Sequence, residues 1–102
     1  MNSQESQLLT EAVLVWTGRG QKSWPHHDDS ALMNHFGPEK ASELLSKIKS
    51  LQDDFYSSNA NLVADNLQEM GKIASEEFRK KHPEISEEIV QAFAWCYTFD
   101  FK

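Results

Sequence analysis

Along this chain apolar positions recur every three or four residues, the spacing of a helix with one buried face, and alternation of the strand type never lasts beyond a few positions. Leu8, Leu9, Ala12, Val13, Val15 and Trp16 form the first run. A polar opening with Ser3 as candidate cap precedes it, and Gly18, suited to the left-handed position after a helix, closes it. Asp28 or Asp29 can cap a short second helix through Ala31, Leu32, Met33 and Phe36, ended by Gly37 and Pro38. Pro38 and Glu39 start a third, whose Ala41, Leu44, Leu45, Ile48, Leu51 and Phe55 share one side.

The turn-rich stretch 57–61 predicts a break, followed by a fourth helix carrying Leu62, Val63, Leu67, Met70, Ile73, Ala74 and Phe78. Asn66 falls inside its apolar arc, which predicts a hydrogen-bonded polar group in the core. Arg79, Lys80 and Lys81 end this helix, where cations interact favourably with the helix dipole. Ser86 then offers a cap, with Glu87 and Glu88 in the first turn of a last helix and Ile85 and Val90 placed for a hydrophobic staple. The pattern predicts an all-α protein, a compact single domain of four to five helices over residues 1–102.

Composition narrows the class. With 39% hydrophobic and 25% charged residues the chain is globular in type, and at 102 residues it supports one modest core. No apolar run approaches the roughly 18 residues of a membrane helix. The start lacks the basic and small-residue signals of a secretory leader, and Cys96 has no second cysteine to pair with. A cytoplasmic location without membrane attachment is the expectation. Sixteen acids against ten bases leave a net charge of −6, which disfavours nucleic acid and favours a basic partner.

Residues 18–29, GRGQKSWPHHDD, concentrate the candidate chemistry. Gly18, Gly20 and Lys22 do not have the spacing of a phosphate-binding loop. His26, His27, Asp28, Asp29 and, farther on, His35 offer metal-ligand atoms, the basis for an alternative reading as a metal-dependent hydrolase or RNase. The His27-Asp28 doublet resembles the helical HD phosphohydrolases, although no histidine precedes position 26 to supply their first ligand. Arg19 and His26 have a spacing similar to the arginine–histidine pair of HEPN-type RNases, but Gly20 and Pro25 interrupt any helix between them. A structural loop accounts for more: Gly18 ends one helix, Trp24 packs at the core edge, the aspartates cap the next helix, and the histidines are exposed. No bound metal or cofactor is therefore expected. Cys96, among Phe93, Trp95 and Tyr97, reads as an inert thiol.

Two surface features stand out. Asp65, Glu69, Lys72 and Glu76 fall in one arc of the fourth helix, an acidic strip that Asp53, Asp54 and Glu77 extend. At the end of the chain, Trp95, Phe99 and Phe101 project in directions that a single small core does not all cover, which predicts partial exposure. In carrying these acids, Glu87, Glu88 and the aromatic end on a small helical frame, the chain resembles the immunity proteins of bacterial toxin–immunity systems of the contact-dependent growth inhibition kind. That resemblance implies a non-enzymatic inhibitor of a cognate basic, nuclease-type toxin domain. Partner contacts would lie at Asp53, Asp54, Asp65, Glu69, Glu76, Trp95, Phe99 and Phe101. The aromatic end is also a candidate surface for a homodimer or for a dimerising adaptor.

Overall fold

A computed structural model describes residues 3–20, 24–58 and 60–100 of the chain, the side chains of Ser3 and Asn61 excepted. Its described residues fold as an all-α arrangement of α1 (Ser3–Thr17), α2 (Asp29–Phe36), α3 (Pro38–Tyr56), the single turn α4 (Ala60–Val63), α5 (Leu67–Lys81) and α6 (Glu87–Asp100). The helix ends follow from local chemistry. Ser3 is already helical, so that residue lies in α1 instead of before it. Gly18, with φ 76°, donates its amide to the Leu14 carbonyl at 2.9 Å. Gly37 closes α2 and opens α3 at φ 85°, a conformation that a side chain would strain.

The expected fourth helix is two elements. Asn66 takes an extended conformation, and its side chain accepts the Glu69 amide at 2.8 Å, capping α5. The predicted buried asparagine is therefore an exposed N-cap. Capping satisfies an amide that has no partner within the helix, which favours starting a new helix here over continuing one. Leu62, Val63 and Leu67, expected in the core, are left on the surface.

α2 folds back along α1, with Asp29 beside Trp16 and His35 beside Glu11. α1 and α6 run in the same direction: Thr10 meets Ser86 at 2.7 Å, and Arg19 reaches Trp95. α5 and α6 are antiparallel, joined at one end by Arg79 and Glu87 and at the other by Gly71 and Thr98. A single core takes residues from all six elements. Its centre is Phe55, whose ring lies 5.2 Å from Phe78, 5.6 Å from Tyr97 and 6.0 Å from Phe93, so that α3, α5 and α6 meet on one aromatic cluster. The staple residues behave as expected: Val90 is buried and Ile85 half-buried, while Ser86 Oγ accepts the Ile89 amide.

Gly71 sets the closeness of α5 and α6. A Cβ there would come within 2.9 Å of the Thr98 methyl, on a β-branched side chain with little freedom to turn. Gly71→Ala therefore sets a helix-propensity gain of about 1 kcal/mol against overpacking of about 1–3 kcal/mol. Urea unfolding should show Gly71→Ala less stable than the natural chain, and Thr98→Ser should reverse the loss when added to it. An additive pair of effects would contradict the close contact.

Candidate functional site

The segment from Trp24 to Asp29 is explained by what it does for the helices around it. The amide of His26 donates to the Thr17 carbonyl at 2.9 Å, and that of Asp28 to the Trp16 carbonyl at 3.0 Å. Both carbonyls belong to the last turn of α1 and have no partner inside that helix. Asp28 Oδ1 accepts the Ala31 amide as N-cap of α2. Asp29 accepts the indole N–H of the buried Trp16 at 2.8 Å. The His27 ring lies nearly parallel to the Trp16 ring at 4.4 Å, and its Nε2 is 3.1 Å from the amide nitrogen of Gln52. His26 tilts against Trp24, and His35 pairs with Glu11 at 2.8 Å.

The candidate ligands thus point to separate partners. Among the described residues no group of three or more histidine, cysteine or acidic side chains could hold a metal ion. Arg19 lies beyond α1 and His26 between α1 and α2, so the two do not share a helix. Trp24, expected at the edge of the core, is 56% exposed, since the loop is anchored by backbone bonds and by His27 instead. Lys22 falls outside the described residues.

The acids do not make the single strip predicted. Asp65 precedes the cap of α5, so that Glu69, Lys72, Glu76 and Glu77 lie on that helix and Asp65 does not. Asp54 is half-buried beside His82 at 2.8 Å, at the opposite end of α5, with exposed Asp53 next to it. The 15 residues of α5 span about 22 Å and separate Asp65 from Asp54, whereas Glu76 and Glu77 lie within two turns of the His82 end. Asn66, read as a helix-interior residue, is what broke the arc. Its signal was legible in the sequence, because Asn66 followed three positions later by Glu69 is a capping pattern.

The aromatic end is divided. Phe93 and Tyr97 enter the core, Trp95 is half-buried, and Phe99 is 44% exposed. Phe101 lies outside the described residues. Arg19 sits over the Trp95 ring, its guanidinium carbon 5.5 Å from the centroid, a favourable cation–π contact. At the far end of α6, Tyr56 donates its hydroxyl to Asp100 at 2.6 Å, and burial together with that carboxylate holds its pKa well above the ordinary range. Arg79 bonds Glu87 through two nitrogens, which keeps the Glu87 carboxyl below its usual pKa.

Trp95 also forms one wall of a groove of about 460 Å³ between α5 and α6. Gly71, Ser75, Ala94 and Thr98 contribute to its lining, with Leu67 near one end and Arg19, Lys72 and Arg79 around it. The sequence reading gave these three cations no joint role. Lys72, Ser75 and Arg79 recur at helical spacing on α5, and that was the available signal.

No family model matches this chain, and neither a curated protein nor a solved structure matches it.

Two outcomes follow for the loop and the thiol. His27→Ala removes a stacked ring and should cost about 1 kcal/mol in denaturant unfolding, while EDTA leaves the melting temperature of the natural chain unchanged. A fall in melting temperature on chelation would contradict the structural role. Burial pushes the Cys96 thiol from 9.0 up to about 12. A raised folded-state pKa contributes stability that is complete below the unfolded value and lost as pH rises. Unfolding free energy should therefore decline between about pH 9 and pH 12, and Cys96→Ala should flatten that decline relative to its own neutral-pH stability. An identical slope in the variant would remove the thiol from the account.

Proposed function

We propose that this chain is a non-enzymatic binding protein of the immunity type, which neutralises a basic, nuclease-type toxin domain by occupying its surface. The observation that carries the reading is the edge formed by α4 and the start of α5. Leu62, Val63 and Leu67 are 79%, 58% and 38% exposed, close together in the chain, with Asp65 between them and Glu69 two residues past Leu67. Apolar side chains clustered on a surface and fringed by charge are the composition of a protein contact. Water exclusion around the leucines would supply affinity, and the acids would steer a cationic partner.

Three further features support the reading. The net charge of −6 attracts a basic domain over long range. The histidine–aspartate segment is occupied with holding α1, α2 and α3 together. Among the described residues no helix is long and apolar enough to cross a membrane, which suits a proposed cytoplasmic inhibitor. Phe99, exposed at the end of α6, is a further candidate contact.

The test is growth protection in cells that co-express the chain with basic, nuclease-type toxin domains, beginning with any that a neighbouring reading frame proves to encode. The natural chain should restore growth. Leu62→Asp with Val63→Asp should abolish protection while leaving melting unchanged, because both side chains are already in water. Asp65→Lys with Glu69→Gln should slow association several-fold at low salt and retain a side chain suited to the third position of α5. Full protection by the leucine–valine variant would overturn the reading.

A further inference from the structure

The groove between α5 and α6 carries a charge opposite to that of the chain. The sequence has 16 acids and 10 bases, yet the groove is lined by Arg19, Lys72 and Arg79 and by no carboxylate. Arg79 is held in place by Glu87, which answers much of its charge. Arg19 and Lys72 have no ion-pair partner among the described residues. Arg19 is held by the face of Trp95 instead. Two cations without a direct ion pair, Lys72 with Glu69 and Glu76 a turn away on its own helix, a third cation held in a fixed orientation, an indole wall and a lining of small side chains therefore converge on one open groove.

The dimensions describe the occupant. Lys72 and Arg79 are seven residues apart on α5, two turns, or about 10 Å along the axis. An extended chain of the polyproline-II form rises about 3.1 Å per residue with three residues per turn, so acids three positions apart share a side at about 9 Å. Between them, apolar side chains would rest against Trp95, with Leu67 beyond Lys72 at one end of the groove. An open groove suits a strand of peptide better than a compact metabolite, which an enclosed pocket covers more fully. Three cations in one groove do not make the extended basic surface on which the affinity of a polyphosphate such as RNA depends.

We propose that the α5–α6 groove docks an acidic, extended peptide segment of a partner protein, with its carboxylates on Arg19, Lys72 and Arg79 and its apolar residues against Trp95. The groove shares Leu67 with the α4–α5 edge, but the proposal rests on its cations and Trp95 and holds whether or not that edge meets a toxin.

The experiment titrates the full chain into a fluorescein-labelled peptide with glutamate at every third position and leucine and proline between. A lysine-for-glutamate peptide and a single-stranded RNA oligonucleotide serve as the other arms. Anisotropy should show saturable, salt-weakened binding of the acidic peptide alone, with amide shifts at Gly71 and the Trp95 indole signal. Arg19→Gln with Lys72→Gln should weaken it about tenfold or more. Lys49→Gln, an exposed cation on α3, should leave it unchanged. Absence of saturable binding, equal affinity in the double variant, or tighter binding of RNA than of the peptide would overturn the proposal.

Discussion

Phe55 is the point on which the packing of three helices depends. Its ring touches Phe78 of α5 and Phe93 and Tyr97 of α6, and Tyr97 in turn meets Tyr56 edge-on at 5.2 Å. Edge-to-face and tilted ring pairs are directional as well as apolar, so this cluster fixes how α3 lies across the α5–α6 pair. Around it, polar contacts close the rim: Asp54 with His82, Tyr56 with Asp100 and Lys81 with Ser57. Loss of the cluster would release the end of α3 and, with it, the two helices that form the groove.

A second clamp holds the other end of the molecule. Trp16, buried on α1, gives its indole N–H to Asp29 and one ring face to His27, while the loop amides of His26 and Asp28 cap the last carbonyls of α1. The residues most suggestive of chemistry in the sequence are thus spent on joining α1, α2 and α3. Where a histidine and an aspartate serve a neighbouring tryptophan, catalytic letters mark a structural joint. The surfaces proposed for recognition lie elsewhere, on the α4–α5 edge and along the groove beside it.

Much of the fold was legible. Periodicity located α1, α3 and α6, Gly37 followed by Pro38 marked the α2–α3 boundary, and Ser86 with its acidic followers marked the start of α6, because each signal is local. The junction between α4 and α5 was not read correctly, since the apolar spacing of Leu62, Val63 and Leu67 fits a continuous helix as well as it fits two. Asn66 decided between them through one side-chain hydrogen bond. Less of the surface was legible. Acids that look adjacent on a helical projection, Asp65 and Glu69, are separated by a cap, and Asp53 and Asp54 lie at the far end of α5. The convergence of Arg19 with Lys72 and Arg79 depends on how α1 packs beside α6, a tertiary fact that no local pattern encodes.

The account's central claim is that recognition belongs to the surface of α4, α5 and the end of α6, with the histidine–aspartate segment as scaffold. Hydrogen–deuterium exchange of the chain, free and mixed with a basic, nuclease-type domain against which it protects cells, tests this most directly. Binding should slow exchange at residues 62–72 and 95–100 and leave residues 26–36 as they are in the free chain. Protection confined to residues 26–36, with exchange unchanged across α5, would contradict it.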